Sequence, residues 1–289
     1  MTLLPHWGSE QSEEVWSAYT PERGEALFQG QVALVVSASR GIGYAIAAEL
    51  ARQGASVALT ARNEEPLRQA ATSLEEATGQ RVLAVPAHSR KETDRQEAVE
   101  AVMNTFGRLD MLVYTTGANP AQHTLAIDLD LECLLHMFDT NVVGALGFTQ
   151  LAWQAWMKDH GGAVLMMNTV AATGGVRLSA YSATKAALRR LTEDLADQLA
   201  PDVRVNGLAP AFVRTPFMES ITTLPQETVA ASYPLGRFGE TDDIARAAAF
   251  LLSPQSSWIT GVTLPVDGGK SVAATTHDRP HPVPGQAIH

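Results

Sequence analysis

An α/β fold, in which one doubly wound, seven-stranded parallel sheet carries helices on both faces, is predicted for this 289-residue chain by three observations. Short β-branched apolar runs alternate with helical patterns along the whole length, no linker-like shift in composition breaks the alternation, and no internal repeat divides it. A chain of this size buries a substantial core as one domain. The strand candidates are residues 32–36, 56–60, 82–86, 111–114, 163–167, 204–208 and 263–266. Helical patterns fill 42–52, 66–77, 92–106, 131–158, 181–199 and 242–252, with Gly54 and Gly107 placed to end the first and third. Residues 215–234 are helix-like and carry apolar Phe217, Met218, Ile221 and Leu224, which suits a mobile lid or an ordinary surface helix.

The domain is assigned to residues 29–271. Residues 1–28 are polar and acidic without a strong period, and 272–289 are rich in Pro and His with little to bury, so both read as flexible extensions. The histidines of the tail read as solvated, and no metal site is assigned. The first residues lack the basic region and apolar core of a secretory signal, and their acids disfavour a transit peptide. With a single cysteine, Cys133, there is no disulfide framework, and a reducing cytoplasmic setting is expected. The net charge of −10, without a basic run, argues against nucleic acid or an anionic membrane as partner. The least charged stretch, 140–157, contains Asn141, Thr149, Gln150 and Gln154 and alternates as an amphipathic helix would, so it does not read as a membrane span.

The first strand runs directly into Ser37, Ala38, Ser39, Arg40, Gly41, Ile42 and Gly43, where a helix begins. Small residues at such a junction let backbone N–H groups approach a pyrophosphate, and the helix N-terminus adds partial positive charge beneath it. In a chain of alternating strands and helices this is the context of a Rossmann dinucleotide site. Cofactor choice is read at the end of the second strand, where an NAD binder usually places an acid on the ribose 2′-hydroxyl. Here stand Thr60, Ala61 and Arg62, with no carboxylate before Glu64. Arg62 and Arg40 can pair with a 2′-phosphate, which favours NADP(H) over NAD(H).

Tyr181, Ser182, Ala183, Thr184 and Lys185 open a long helix, and the i, i+4 spacing puts the phenol and the ammonium on one face. A phenol titrates near 10, so acid–base work near neutrality requires a depression of roughly three units, which a nearby cation can supply.

Taken together, Phe138-Asp139-Thr140-Asn141, the strand at 161–169, Tyr181 to Lys185, Arg204-Val205-Asn206 and Ile259-Thr260-Gly261 with Val266-Asp267-Gly268-Gly269 resemble the short-chain dehydrogenase/reductase family over about 31–270. The flavour is that of its 3-oxoacyl-carrier-protein-reductase-like and carbonyl-reductase branches. The resemblance implies an NADP(H)-dependent oxidoreductase that reduces a ketone or oxidises the secondary alcohol. It makes Tyr181 the acid/base, Lys185 the group that lowers its pKa and holds the nicotinamide ribose, and Asn141 the anchor of a water-linked proton relay. It also implies cofactor contacts from Gly117, Pro210, Val213 and Thr215.

The chain departs from the family pattern at several points. Val36-Ser37 replaces Thr-Gly before the phosphate turn, Tyr114-Thr115-Thr116-Gly117 replaces Asn-Asn-Ala-Gly, and Pro210-Ala211 replaces Pro-Gly. The catalytic serine is absent. Strand register places Thr169 there, and counting back from Tyr181 places Asn168, of which the register is the firmer guide. These departures leave open a nucleotide binder without redox activity, and an enzyme that uses Tyr181 for dehydration or cyclisation. Substrate contacts are expected from 118–125, 172–180 and the segment after Pro210, with Met166, Val176, Leu178, Phe212 and Phe217 forming an apolar pocket. The long helices 131–158 and 181–199 are apolar around much of their circumference, which together with the resemblance implies a homo-oligomer, a dimer or tetramer.

Overall fold

Five consecutive apolar residues, Val32–Val36, form β1, and all five are buried. Burial of every residue in a strand requires cover on both faces, which is the condition of a parallel sheet between helical layers. In this computed structural model, which describes residues 26–121, 124–172, 178, 180–215 and 226–273, six more strands join β1. They are β2 (Ser56–Ala61), β3 (Val82–Pro86), β4 (Met111–Tyr114), β5 (Gly162–Met167), β6 (Val203–Pro210) and β7 (Thr263–Val266). All pair in parallel in the order β3-β2-β1-β4-β5-β6-β7. The order reverses direction between β1 and β4, so a crevice opens beyond the carboxyl ends of those strands.

The connecting helices divide between the faces. α1 (Gly41–Arg52), α2 (Glu64–Thr78) and a late helix, Thr241–Leu252, cover one face with Ile46, Leu50, Leu67, Leu74, Ile244 and Leu252. α3 (Glu92–Phe106), α4 (131–160) and α5 (Ala180–Leu199) cover the other with Val99, Val102, Phe148, Met157, Leu188 and Leu195. Between α5 and the late helix lies α6 (Gln226–Ala231), which makes the late helix α7. Gly54 and Gly107 follow α1 and α3 with left-handed φ of +99° and +72°, as expected of residues that stop a helix.

Three departures from expectation have local causes. The helix expected over 131–158 is continuous to 160, but its hydrogen bonding slips to π turns at Asp139–Val143 and Trp153–Met157. Phe28, assigned to the flexible extension, is fully buried in the core and its N–H donates to the Gln53 carbonyl at 2.9 Å. Hydrophobic burial against α1 therefore brings the domain boundary forward to at least this residue. Of the lid-like segment only α6 and the residues after it are described. Phe217, Met218, Ile221 and Leu224 lie outside the described residues, as do 1–25 and 274–289.

Candidate active site

The turn expected to hold phosphate leaves β1 through Ser37, which has φ +69° and is the one non-glycine residue with positive φ among those described. A side chain in that region costs on the order of 1 kcal/mol, borne at the position where the family carries glycine. Hydrogen bonds from Thr115, just after β4, hold the turn, one of them from its hydroxyl to the Ser37 carbonyl at 3.3 Å. The Thr115 hydroxyl donates to the Val36 carbonyl at 2.6 Å, and its N–H to the same oxygen at 3.3 Å. Gly43 is obligatory here, because a Cβ would stand 2.5 Å from the Ser37 carbonyl oxygen and 2.8 Å from the Thr115 hydroxyl. The backbone of the turn is thereby left bare toward the crevice, a cradle that a larger side chain at Gly43 would distort.

Arg40 and Arg62 flank this cradle, both exposed, and neither pairs with a carboxylate among the described residues. Glu64, the first acid after β2, turns away to Arg68. His88, beyond β3, is held below the usual imidazole range by burial and then by the charges of Arg62, Arg90 and Lys91. The electrostatic environment at the end of β2 is thus cationic.

The opposite wall comes from α5. Tyr181 and Lys185 are buried on one helical face, and a Cβ at Gly117 would lie 3.5 Å from Tyr181 Oη and 3.6 Å from Lys185 Nζ. Both polar ends therefore converge on the turn after β4. Lys185 Nζ donates to the carbonyls of Met167 (2.7 Å) and Thr116 (3.2 Å) and stands 5.9 Å from the centre of the Tyr181 ring. Burial lowers the Lys185 ammonium to about 7 and raises the Tyr181 phenol to about 12. Withdrawal from water thus outweighs the depression of Tyr181 expected from Lys185, a lysine that burial has itself moved toward its neutral form.

Asn141 sits in the first π turn of α4 and is fully buried, away from the cavity wall. Its Oδ1 accepts from the Ala118 N–H (2.8 Å), and its Nδ2 donates to the Ala118 carbonyl (3.1 Å) and to Thr184 Oγ1 (2.9 Å). The Thr184 hydroxyl in turn donates to the Tyr181 carbonyl at 2.8 Å. Asn141 thus ties the loop after β4 to the helix that carries Tyr181 and Lys185. Tyr114, in place of the family's asparagine, is fully buried and donates its hydroxyl to the carbonyl of Thr140, inside the same π turn. Gly144 leaves room for it, since a Cβ there would meet Tyr114 Oη at 2.5 Å. Burial pushes the Tyr114 phenol to about 12, so it remains a donor at physiological pH.

Thr169 is half-buried, with its hydroxyl 3.3 Å from the Pro210 carbonyl and 3.3 Å from the Ala171 N–H. Asn168 is buried, and among the described residues neither polar atom of its side-chain amide has a partner. Both residues border the cavity.

One cavity of about 840 Å³ joins the two ends. Every expected cofactor contact lines it, from Ser37 to Thr215, together with Thr169. Ala118, Leu178 and Phe212 line it as expected, but Met166 instead faces the core beneath α4 and α5, on the other side of the strand from Met167. Val176 lies outside the described residues. The sequence reading missed His88, Tyr233 and Lys270 on this wall; only their proximity in space, not any spacing in the chain, marks them.

Residues 36–271 match the family described as enoyl-(acyl carrier protein) reductase. Tropinone reductase-like 3 of Erythroxylum coca is 34% identical over 252 residues, covering 84% of this chain and 93% of that protein. Among solved structures, a short-chain type dehydrogenase/reductase from Mycobacterium ulcerans is 33% identical with a TM-score of 0.78, covering 85% of this chain and 91% of the other. A 7α-hydroxysteroid dehydrogenase complexed with NADH and 7-oxo glycochenodeoxycholic acid is 28% identical with a TM-score of 0.80, covering 85% and 96%.

Proposed function

The chain belongs to the short-chain dehydrogenase/reductase family, whose members are nicotinamide-dependent oxidoreductases, and on that premise we propose that it interconverts a ketone and its secondary alcohol with NADP(H). The observation that carries this reading is the convergence of Tyr181 Oη and Lys185 Nζ on the Gly117 turn, at the end of a cavity whose other end is the bare phosphate cradle. The residues fit such a cofactor. The cradle at Gly43 suits a pyrophosphate, and Lys185 stands where ribose hydroxyls would replace its present carbonyl partners. Bound there, the nicotinamide supplies the hydride for reduction and accepts it for oxidation.

The protein's share is proton movement and orientation. In reduction Tyr181 Oη gives its proton to the carbonyl oxygen as the carbonyl carbon becomes C–H, and in oxidation the phenolate takes that proton back. Lys185 stabilises the phenolate when its ammonium is charged. The Thr169 hydroxyl is the donor assigned to polarise the carbonyl, in place of serine. Since the Asn141 amide is spent on Ala118 and Thr184, its part in a proton relay is to hold those partners in place.

Preference for NADP(H) is supported by Arg62 and Arg40, by the turning of Glu64 toward Arg68, and by the effect of Arg62 on His88. In fluorescence titrations NADPH is expected to bind more tightly than NADH. Arg62→Asp, which removes charge-assisted hydrogen bonds and adds a repulsive carboxylate, is expected to weaken NADPH by about a hundredfold with little change for NADH. Unchanged NADPH affinity in that variant would remove the cofactor assignment.

A homo-oligomer and a cytoplasmic setting complete the reading. The assembly is supported by Leu131 and Leu135 of α4, which are 71% and 66% exposed and follow one another at a helical spacing of four. Sedimentation velocity at micromolar concentration is expected to give a dimer or tetramer, and a lone monomer boundary would count against it. Among the described residues no helix is long and apolar enough to cross a membrane.

A further inference from the structure

The chain carries 31 acidic and 21 basic residues, yet the described residues that line the cavity include no aspartate or glutamate and four lysines and arginines. Such a wall in an acidic protein concentrates positive potential where a ligand must enter. Three of these cations are accounted for by the nucleotide reading: Arg40 and Arg62 at the cradle and Lys185 beside Tyr181. The fourth, Lys270, has no part in it. It follows β7, the edge strand four places from β1 in the sheet, and lines the cavity with Tyr233 and Phe212.

Lys270 is half-buried and held in place. Its Nζ donates to Ser232 Oγ at 2.8 Å and lies 5.3 Å from the centre of the Tyr233 ring. The turn that presents it is clamped against the segment after α6. The Leu235 N–H donates to the Gly268 carbonyl at 3.2 Å, and Gly269, at φ +82°, lies so close that a Cβ would meet Pro234 Cγ at 2.9 Å. The nearest acid in sequence, Asp267, spends its two oxygens on the N–H groups of Gly269 (3.0 Å) and Ser271 (2.7 Å). No carboxylate lies within ion-pair distance of Lys270 among the described residues. Among the described residues the ammonium has the Ser232 hydroxyl, the Ser232 carbonyl at 3.4 Å and the Tyr233 ring beside it, and it retains donor capacity for an anion.

We propose that Lys270 binds a carboxylate of the substrate, so that the favoured substrates are ketones bearing an acidic group. The inference rests on the reductase reading and gives it a substrate class. The nucleotide phosphates occupy the cationic end at Arg40 and Arg62, the reacting carbonyl lies at Tyr181, and the substrate carboxylate reaches Lys270. Tyr233 and Phe212, which line the same cavity and of which Tyr233 stands beside Lys270, would offer apolar contact to the carbon chain.

The test compares keto acids with their methyl esters, which differ only in charge at one end. Levulinate and para-acetylbenzoate serve as acids of different reach. For the wild-type full-length protein with NADPH, the acid of the better-fitting pair is expected to exceed its ester in kcat/KM by about tenfold or more, the worth of a charge-assisted hydrogen bond. Lys270→Gln is expected to raise KM for the acid by that factor, leave kcat within about twofold, and leave the ester unchanged; Lys270→Glu is expected to reverse the preference. Calorimetric titration of the acids into the NADP+-saturated protein separates this inference from the reading beneath it. An acid that binds in a Lys270-dependent manner, with neither acids nor esters reduced, supports the anion site and removes the reductase assignment. Esters that are reduced as well as or better than acids, or acid binding unaltered in Lys270→Gln, overturn the anion site and leave the reductase reading standing.

Discussion

Tyr181→Phe is expected to lower kcat for ketone reduction by about a thousandfold, within the range that a lost general acid removes, while NADPH affinity stays within about twofold. The substitution keeps the ring, its packing under Leu178 and its place on α5, and deletes only the hydroxyl at the Gly117 turn. Stopped-flow absorbance of the reduced nicotinamide, with fluorescence titration of the cofactor, reads the two quantities separately. The direction of the pH dependence follows from the same group. Burial alone puts the phenol at about 12, so the proton needed for reduction is in place throughout the neutral range. Reduction should therefore hold up at low pH and decline as pH rises through the pKa of the loaded site. Oxidation, which needs the phenolate, should rise with pH. Turnover within about tenfold of wild type in Tyr181→Phe would end the acid/base assignment. Tight NADPH binding with no turnover of any ketone by the wild type would favour a redox-inactive binder or a non-redox use of Tyr181.

Lys185→Met is expected to do two opposite things. Turnover should fall by about a hundredfold or more, since the phenolate loses its cation. Stability of the protein should rise near neutrality, because a buried ammonium whose hydrogen-bond partners among the described residues are the Thr116 and Met167 carbonyls is replaced by an apolar chain of similar length. In the folded protein burial takes Lys185 from 10.5 to about 7. Between these values the unfolded chain binds a proton that the folded chain does not, so stability increases with pH across the window and is lost as pH falls toward 7. One proton gives a slope of at most about 1.4 kcal/mol per pH unit, measurable by urea unfolding at pH 7 and pH 9. Tyr181 acts in the reverse sense: its raised pKa costs stability as pH climbs from 10 toward 12. The Lys185-linked rise in stability between pH 7 and pH 9 should therefore be absent from Lys185→Met. Equal slopes in the two proteins would show that Lys185 is not the group responsible.

Some of this architecture was legible in the chain because it depends on local pattern. β1, β3, β4 and β7 match the expected runs residue for residue, and β2, β5 and β6 extend theirs by one to three residues. A buried parallel strand is a short apolar run wherever it occurs, and turn residues punctuate it. The phosphate turn was legible for the same reason, since strand, small residues and helix follow one another within a few positions. So was the i, i+4 relation of Tyr181 and Lys185.

Other features were not. Arg204-Val205-Asn206 carried the family resemblance but no role. In the fold the Arg204 guanidinium donates to the carbonyls of Leu251, Leu252 and Ser253 at the end of α7, and the Asn206 amide bridges Ile259 and Val262. These partners lie about fifty residues away, so neither propensity nor spacing reports them. The two π turns in α4 depend on what packs against that helix, of which the Tyr114 hydroxyl at the Thr140 carbonyl is one visible part.

The sequence by itself determined the alternation of strands and helices, the small-residue turn after β1, the i, i+4 pair of Tyr181 and Lys185 on one helix and the family to which the chain belongs, because each is written within one or two turns of chain. Only the tertiary structure decided that Asn141 turns its amide inward to Ala118 and Thr184, that burial drives Tyr181 and Lys185 toward their neutral forms, and that Lys270 reaches the same cavity as Arg62. Burial, dielectric and the meeting of distant segments are properties of the folded whole, and no local stretch of sequence contains them.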